Sequence, residues 1–549
     1  MLTPALREAL ARALEANGWS VDDGLPLEVP RQADHGDYAT NLALALAKKV
    51  GRPPRAVAQA LLDALPADPA LIESTSIAGP GFVNFRLSMQ ALRNELIEIV
   101  ESGKAYGTWP ARGTPPVLVE FVSANPTGPM NVVNARAGAV GAALVRLFRA
   151  AGIGAEAEFY VNDAGRQVEL LGASVAARFR ERIGLAAEFP EEGYQGAYVT
   201  DLAAAVPEAE GRAALASGDA TWFREFALER MLEAQRRDLA AYGVTFDRWS
   251  RESALHAAGA LTRALADLKA RGHVYEQDGA TWFRSSAFGD EKDRVLVRQN
   301  GEPSYFLADI AYHRDKAERG FARALDLWGP DHHGHIQRLA AGLLALGLPK
   351  EFFTVTIVQF VRLLSKGELV KMSKRAGEFI TLTDLLEEVG PDAAKFFFLM
   401  RSTSAHLDFD LDLAREQSND NPCYYIQYAH ARVASLLKIA SEKGLEPAAR
   451  GEERRAAAAR LVAPEERELM RLLAQFPDVV RGAAEAEEPQ RVPTYLAQVA
   501  GAFHQFYHQH RVVTDDAELS RARLLLARGT QQVIANGLAL LGVSAPERM

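Results

Sequence analysis

The segment 117–161 constrains the fold of this chain more than any other. It opens with Val-Leu-Val-Glu-Phe-Val, a nearly continuous apolar run that is typical of a strand covered on both faces. A loop with two prolines, 123–129, leads into a long helical pattern over 131–151, and a second strand pattern covers 155–161. Strand, helix and strand at this spacing predict a right-handed βαβ unit within an α/β domain.

The rest of the chain divides around this α/β domain. Its 549 residues suggest roughly three or four domains. Helical and short strand patterns over 1–105 predict a small α+β domain, and the Gly- and Pro-rich stretch 107–116 is a predicted linker. The α/β domain is predicted over 115–383, with a mostly helical, charged insertion at about 175–290. The remaining segment, 384–549, is predicted to be almost wholly helical.

Composition excludes several classes of protein. Hydrophobic residues make up 48% of the chain and charged residues 24%, which excludes a disordered or collagen-like chain. The net charge of -9 excludes a globally basic nucleic-acid coat but allows a local basic site. One cysteine, Cys423, excludes an intrachain disulfide and a zinc site built on Cys ligands. There is no apolar run of about 18 residues and no signal-peptide core, so we expect a cytoplasmic protein without a membrane span.

The sharpest local motif is Lys371-Met372-Ser373-Lys374, which lies in a basic stretch between two glycines. A pair of ammonium groups on a loop suits a polyphosphate whose charge shifts during a reaction. The alternative is a solvated surface loop, which is the usual explanation of a basic run.

This motif matches the KMSK signature of class I aminoacyl-tRNA synthetases, and a second segment is more specific. Residues 117–141, VLVEFVSANPTGPMNVVNARAGAVG, resemble the arginyl-tRNA synthetase family, whose pattern reads E-F-x-S-A-N-P-T-G-P-x-H-V-G-H-x-R-G. The resemblance covers the whole chain, with further similar stretches at 36–41, 160–167, 328–334, 421–432 and 537–549. It implies a Rossmann-like catalytic domain, an N-terminal α+β domain that contacts tRNA, and a C-terminal all-α bundle that binds the anticodon.

One position departs from the family pattern. Where the family has His-Val-Gly-His, this chain has Asn131-Val132-Val133-Asn134. An Asn amide can donate a hydrogen bond but cannot become cationic, and valine adds bulk where the family has glycine. Either the site is rebuilt, with donors from His332, His333 or His335, or amino-acid activation is impaired.

The resemblance also implies the residues that bind arginine. A guanidinium needs carboxylates placed for paired hydrogen bonds and an aromatic wall. Tyr305 and Asp309 are four residues apart and would share one face of a helical turn. Core packing is the alternative for Tyr305, and a helix surface or cap position is the alternative for Asp309. The full predicted arginine site consists of Glu120, Ser123, Asn125, Tyr305, Asp309 and His332.

Glu120 lies inside an apolar strand, where an unpaired carboxylate would be costly. This favours a ligand-binding or buried-pair role. The two adjacent histidines that follow a strand, His332 and His333, do not form a metal site because their side chains would diverge and no third ligand is evident. We therefore predict no protein metal site, and expect Mg²⁺ only as the companion of ATP.

The resemblance also implies the residues that act in catalysis and those that bind ATP and tRNA. The residues predicted to act in catalysis are Lys371, Lys374, Asn131 and Asn134. Those predicted to bind ATP are Pro126, Thr127, Gly128, Asn131, Asn134, Met372, Ser373 and Lys374. Those predicted to bind tRNA are Tyr424, Gln427, Tyr428, Arg432, Asp37 and Tyr38. For each C-terminal residue the alternative is packing within the helical bundle, and for the N-terminal pair it is a turn and helix cap.

The activity implied is ligation of L-arginine to tRNA-Arg through an arginyl-adenylate, by a monomer that uses ATP. Two other readings stay open. One is a synthetase-like protein that binds tRNA or arginine without aminoacylation, supported only by the Asn-Val-Val-Asn segment. The other is an adenylate-forming ligase on the same fold that does not act on tRNA, which the predicted terminal domains argue against.

Overall fold

The computed structural model describes residues 1–21, 24–30, 32, 35–370, 380–448 and 451–549. The Lys371–Lys374 motif therefore lies outside the described residues, and Lys371, Met372, Ser373 and Lys374 stay predictions. No helix in these ranges combines the length and the apolar character that crossing a membrane requires.

The N-terminal part is a small α+β unit, as the sequence predicts. Its three strands form an antiparallel sheet in the order β1-β3-β2. In the first helix, Leu6 and Leu10 lie at helical spacing and face the core, whereas Glu8 and Arg12 lie on the exposed face. The elements are α1 (Leu2–Ala16), β1 (Tyr38–Thr40), α2 (Leu42–Val50), α3 (Pro54–Asp63), β2 (Ile72–Ala78), β3 (Phe82–Leu87) and α4 (Met89–Ser102).

A five-stranded parallel sheet forms the centre of the molecule. Its order is β11-β10-β4-β5-β6, and each neighbouring pair is parallel. The predicted βαβ unit is present, since α5 connects β4 to its parallel neighbour β5. The elements are β4 (Val117–Glu120), α5 (Val132–Ala150), β5 (Ala155–Val161), β6 (Arg248–Arg251), β10 (Arg323–Trp328) and β11 (Phe353–Ile357).

The sheet separates two apolar clusters. Val119 and Phe159 face the larger cluster with α5, whereas Ala324 and Trp328 belong to a second cluster with the two helices α12 (Tyr305–Glu318) and α13 (His333–Ala345). Helices on both faces explain why β4 opens a nearly continuous apolar run.

The segment between β5 and β10 is more varied than the mostly helical insertion that the sequence predicts. Four helices are followed by β6, which joins the central sheet, and by a separate antiparallel sheet in the order β7-β8-β9. These strands have four residues each, and all but β8 carry a charge, so they lack the long apolar run that marks a buried strand. The elements are α6 (Arg166–Arg182), α7 (Ala197–Ala205), α8 (Glu208–Ser217), α9 (Ala220–Ala241), α10 (Glu252–Ala257), α11 (Ala260–Ala270), β7 (Val274–Gln277), β8 (Ala280–Phe283) and β9 (Arg294–Val297).

After β11 the chain forms a small mixed sheet and then helices. Strand β12 pairs in parallel with β14 and antiparallel with β13. The C-terminal helices pack against α4 and α5, so the two ends of the chain meet. The elements are β12 (Val361–Ser365), β13 (Glu368–Leu369), α14 (Leu382–Leu399), β14 (Leu407–Asp410), α15 (Leu411–Arg415), α16 (Pro422–Glu442), α17 (Gly451–Ala459), α18 (Pro464–Ala474), α19 (Phe476–Glu485), α20 (Arg491–Gln509) and α21 (Ala517–Leu541).

Candidate active site

The loop that follows β4 forms the floor of the candidate site at the carboxyl edge of the central sheet. Val122 and Ser123 both adopt positive φ angles, of 69° and 38°, which are uncommon for residues with side chains. Such strain persists only where the surroundings fix it, and it concentrates at ligand sites. The Ser123 hydroxyl helps to fix it, because Oγ accepts a hydrogen bond from the Tyr160 N–H at 3.1 Å.

Two side chains from the insertion hold the rest of this loop. Gln235 of α9 is buried, and its Nε2 donates to the carbonyl oxygens of Asn125 and Gly128 at 3.1 and 3.3 Å. The Tyr198 hydroxyl donates to the Thr127 carbonyl oxygen at 2.8 Å. Pro126 and Thr127 are buried, and the Asn125 side chain is exposed.

Asn131 and Asn134 form a capping box at the start of α5. The Asn131 Oδ1 accepts hydrogen bonds from the N–H groups of Val133 and Asn134 at 2.9 and 3.1 Å. In return the Asn134 Oδ1 accepts from the Asn131 N–H at 3.1 Å. The two amide NH₂ groups have no hydrogen-bond partner among the residues that the structure describes. The helix N-terminus and these two donors together favour an anion such as a phosphate.

Thr381 and Leu382, the second and third residues that the structure describes after the Lys371–Lys374 motif, contact the start of α5. Thr381 forms an antiparallel bridge with Asn131, and the Leu382 N–H donates to the Met130 carbonyl oxygen at 2.8 Å. Thr381 also caps α14 with its hydroxyl. The described chain therefore resumes after the motif next to the α5 N-terminus, at Thr381 and Leu382.

Helix α12 presents Tyr305 and Asp309 at its N-terminal end, on the opposite side of the sheet from α5. Tyr305 is 65% exposed, which contradicts the core-packing alternative for this residue. The Asp309 Oδ2 lies 2.8 Å from His335 Nε2, so His335 of α13 is already paired with a carboxylate. His332 lies at the start of α13 and is exposed, and so is His333.

Glu120 is buried at the end of β4 and has the buried partner that its position predicts. The Lys316 Nζ of α12 donates to Glu120 Oε2 at 2.6 Å, and the Ser123 hydroxyl donates to Oε1 at 3.0 Å. Burial raises the pKa of the Glu120 carboxyl, while the Lys316 ammonium acts to lower this pKa.

The same ammonium fills the centre of a possible metal cluster. Ligand atoms of Glu120, His313 and Asp326 lie within 4.8 Å of one another. The Lys316 Nζ, however, lies 2.6 Å from Glu120 and 2.9 Å from Asp326. A side-chain cation thus stands between the two carboxylates that a metal would need.

The predicted tRNA residues of the C-terminal part divide into two groups. Tyr424, Tyr428 and Arg432 follow one another along α16, and all three are partly exposed. The rings of Tyr424 and Tyr428 stack at 6.0 Å, and the Arg432 guanidinium lies 4.6 Å from the Tyr428 ring centroid. Gln427 is buried instead, where its amide donates to Asp392 Oδ2 at 3.0 Å. Gln427 therefore matches the packing alternative.

The N-terminal pair, Asp37 and Tyr38, is also buried. Asp37 Oδ2 accepts hydrogen bonds from the Leu87 N–H and from Arg467 Nη2 at 2.7 and 2.8 Å, and the Tyr38 hydroxyl donates to Asp478 at 3.0 Å. These contacts connect the N-terminal unit to α18 and α19, which favours a structural role for both side chains.

Two contributors to the site were missed at the level of sequence. Gln235 is a polar residue on the otherwise apolar face of α9 that contains Leu228, Leu232 and Leu239, and this interruption of the pattern is a detectable signal. Lys316 gives no such signal, because its helix also carries partly or fully exposed charges at neighbouring positions.

The fold is a parallel sheet whose first strand leads to a helix N-terminus that suits an anion, and the match to a class I catalytic-domain model places it among the class I aminoacyl-tRNA synthetases. Three family models match the chain in order: the arginyl tRNA synthetase N terminal domain over 2–87, the tRNA synthetases class I (R) catalytic domain over 96–398, and the DALR anticodon binding domain over 426–549. The chain belongs to the arginyl-tRNA synthetase family.

Individual relatives agree with the family models. The arginine–tRNA ligase of Symbiobacterium thermophilum is 47% identical over 99% of this chain and 98% of its own length. That of Moorella thermoacetica is 46% identical over 100% of this chain and 98% of its own length. The solved structure of Thermus thermophilus arginyl-tRNA synthetase superposes with a TM-score of 0.79 at 26% identity and covers 100% of both chains.

Proposed function

We propose that this chain ligates L-arginine to tRNA-Arg in an ATP-dependent reaction that releases AMP and pyrophosphate. The observation that carries the proposal is the arrangement at the carboxyl edge of the sheet in a member of this family. There the N-terminus of α5 provides donors for phosphates, while Glu120 and Asp309 provide two carboxylates for a substrate with two cationic groups.

The reaction proceeds in two steps. An oxygen of the arginine carboxylate attacks the α-phosphorus of ATP, the bond to the bridging oxygen of pyrophosphate breaks, and arginyl-adenylate forms. A ribose hydroxyl at the tRNA 3′ end then attacks the adenylate carbonyl carbon, loses its proton, and AMP leaves. The protein makes no covalent bond, so the rate enhancement comes from positioning and from stabilisation of charge.

Each part of the site has an assigned role in this proposal. Arginine is held by the side chains of Glu120, Ser123, Asn125, Tyr305, Asp309 and His332. ATP lies along the loop at Pro126, Thr127 and Gly128 and against the α5 N-terminus, with Mg²⁺ bound through its phosphates and water. Lys371 and Lys374, with Met372 and Ser373, hold the pyrophosphate as it leaves.

The segment Asn131-Val132-Val133-Asn134 takes the place of the family's His-Val-Gly-His in this proposal. The capping box uses the two amide oxygens, which leaves both NH₂ groups to donate to phosphate oxygens. His335 is already paired with Asp309, so among the neighbouring histidines the exposed His332 and His333 are the better sources of additional donors.

tRNA binding is assigned to the C-terminal helices and to the N-terminal unit. Tyr424, Tyr428 and Arg432 form a partly exposed row of two stacked rings and a cation, which suits unpaired bases. The acidic chain must bind tRNA along local basic surfaces, so its affinity for tRNA is expected to fall as the salt concentration rises.

The enzyme acts as a monomer in the cytoplasm.

The test is arginine-dependent ATP–pyrophosphate exchange, measured with and without tRNA-Arg. Exchange that requires tRNA, as the family resemblance implies, supports the proposal. A second arm compares the wild-type chain with the variant Asn131→His/Val133→Gly/Asn134→His. Exchange by the wild-type chain supports a working Asn-Val-Val-Asn site, whereas exchange by the triple variant alone contradicts it.

A second function is favoured by the Asn-Val-Val-Asn segment alone. A chain that binds tRNA-Arg or arginine but does not catalyse exchange under either condition would be a catalytically impaired, synthetase-like binding protein. tRNA binding measured beside the exchange assay separates the two functions. Exchange without any tRNA binding would instead favour an adenylate-forming ligase with another acceptor.

A further inference from the structure

Three buried carboxylates form a row across the central sheet. Asp326 of β10, Glu120 of β4 and Glu158 of β5 are direct neighbours in the strand register, and all three are buried. Neighbouring strands lie about 4.8 Å apart, so these like charges repel one another unless cations stand beside them. We call Asp326, Glu120 and Glu158 the acid row.

Helix α12 supplies the balancing groups. Lys316 is 0% exposed and bridges Glu120 and Asp326 at 2.6 and 2.9 Å. Arg319 makes two hydrogen bonds to Glu158, at 2.6 and 3.0 Å. Within the acid row, Lys316 therefore pairs with the acids on β4 and β10, and Arg319, which also pairs with Asp315, pairs only with the acid on β5.

The position of Lys316 on α12 joins two halves of the arginine site. Glu120 comes from the sheet, whereas Tyr305 and Asp309 lie two to three turns before Lys316 on α12. His313 reinforces this connection, because its Nδ1 lies 2.9 Å from the Asp309 carbonyl oxygen and its Nε2 lies 2.9 Å from Asp326 Oδ2. The Lys316 ammonium thus holds Tyr305 and Asp309 of α12 in a fixed position relative to Glu120 of β4.

We propose that Lys316 is a positioning residue for arginine recognition, acting through Glu120. The proposal rests on the proposed function, in which Glu120 binds arginine. Lys316 holds Oε2 of Glu120 while Ser123 holds Oε1, so the carboxylate keeps one orientation. Lys316 also keeps Glu120 and Asp326 ionised together, because without the ammonium two adjacent buried carboxyls would share a proton.

If Lys316 has this role, the KM for arginine depends on pH in a variant that lacks the ammonium. A variant that is only less stable would not show this dependence. When Lys316 is replaced by a neutral residue, Glu120 holds its proton to a higher pH, so the KM for arginine falls as pH rises. In the wild-type chain the KM for arginine changes much less over the same range. The charged and titratable groups that face Glu120 are Lys316, His313 and Tyr312 of α12, Asp326 of β10, and Glu158 and Tyr160 of β5.

The experiment measures the KM for arginine and for ATP in pyrophosphate exchange, between pH 6.5 and 8.5, for Lys316→Met, Lys316→Arg and Arg319→Met. Arg319→Met is the matched control, since it also removes the cation beside a buried carboxylate, Glu158, which keeps a hydrogen bond from the Tyr312 hydroxyl and has no assigned contact with arginine. We expect Lys316→Met to raise the KM for arginine about 10- to 100-fold with little change for ATP. Lys316→Arg should recover most of the loss, and Arg319→Met should change the KM for arginine less than about threefold.

A double-mutant cycle tests whether Lys316 acts through Glu120. If it does, Glu120→Gln/Lys316→Met is no worse in its KM for arginine than Glu120→Gln alone. Additive effects overturn the proposal, and so does a Lys316→Met variant that matches Arg319→Met. If Lys316→Met does not fold, Lys316→Met/Asp326→Asn removes one charge of each sign. A KM for arginine within about threefold of wild type in that folded variant also overturns the proposal.

Failure of the proposed function is distinguishable from failure of this inference. A wild-type chain without arginine-dependent exchange contradicts the proposed function before any variant is compared. A wild-type chain with exchange, together with an unaltered KM for arginine in Lys316→Met, contradicts only the role of Lys316.

Discussion

Asn131 and Asn134 each perform two tasks with one amide group. Their oxygens satisfy backbone N–H groups at the start of α5, and their nitrogens remain as donors at the helix N-terminus. A protonated histidine could not reproduce this capping box, because neither ring nitrogen of an imidazolium accepts a hydrogen bond. The segment is therefore suited to helix capping as well as to an anion.

Asn131 variants separate these two tasks. Asn131→Ser keeps a capping oxygen but removes the NH₂ group, so we expect the free energy of unfolding to stay within about 0.5 kcal/mol of wild type. Pyrophosphate exchange should fall about tenfold or more. Asn131→Ala should lose a similar amount of activity and about 1 kcal/mol of stability as well. Urea unfolding and exchange assays on both variants provide the check, and full exchange activity in Asn131→Ser would exclude a role for the amide donor.

At the scale of single residues, the sequence predicts most where a buried charged side chain requires a partner. Glu120 on an apolar strand predicts either a ligand role or a buried pair, and the structure has the pair. Its partner, Lys316, lies 196 positions later, and no local pattern connects the two. Asp37, Tyr38 and Gln427 show the reverse case, because polar residues matched to a family motif turn out to be buried in packing contacts.

At the scale of elements, α16 is fixed to the C-terminal tail by a histidine. His430 is buried, and its Nδ1 lies 2.8 Å from the Pro546 carbonyl oxygen. Burial lowers the pKa of His430 below its ordinary value, with the hydrogen bond to Pro546 acting in the opposite direction. The folded state therefore favours the neutral ring.

This shift predicts a loss of stability in acid. Between the folded pKa of His430 and its ordinary value near 6.5, the unfolded chain binds more protons, so the free energy of unfolding rises with pH. We expect the thermal midpoint to fall between pH 7.5 and 5.5, and to fall less in His430→Gln. His508→Gln, at an exposed histidine on α20, is the matched control. Equal pH dependence in the wild type and His430→Gln would assign the effect to other groups.

Local sequence patterns predict the long helices and strands, but they do not predict the four-residue strands. The α5 and β5 patterns are confirmed almost to the residue, because periodic burial over many positions leaves little choice. Strands β6 to β9 have four residues each, and their strand character depends on neighbours that pair with them from elsewhere in the chain. Pairing of that kind is a tertiary effect that local patterns do not contain.

At the scale of the whole molecule, an ion pair and hydrogen bonds connect the N-terminal unit to the C-terminal helices. Arg467 binds Asp37, and the Tyr38 hydroxyl binds Asp478; in the segment that follows the unit, Trp109 Nε1 donates to the Pro477 carbonyl oxygen at 3.0 Å. Removal of one partner from a buried ion pair leaves the other charge uncompensated.

Asp37→Asn tests this connection. We expect a loss of about 3 kcal/mol in the free energy of unfolding, because Arg467 keeps its charge without a carboxylate. Glu8→Gln, which breaks an exposed pair with Arg12, should cost less than about 1 kcal/mol. Urea unfolding measures both variants, and tRNA charging is measured beside it. Unchanged stability with impaired charging would instead support the tRNA contact that the family resemblance implies for Asp37.

The order and type of the domains follow from sequence, since α+β, α/β and helical patterns succeed one another along the chain. Their mutual contacts do not, because Asp37 and Arg467 are 430 positions apart. Contacts over such separations depend on the final arrangement of all three domains.

The acid row also favours one strand register in the central sheet. Side chains alternate between the faces of a strand, so a shift of β4 by one residue would move Glu120 from the α12 side into the apolar cluster around α5. Apolar strands such as Val-Leu-Val can slide past one another at modest cost, whereas a displaced carboxylate would lose Lys316 and lie buried without a cation. The buried carboxylates would thereby exclude misaligned pairings while the chain folds.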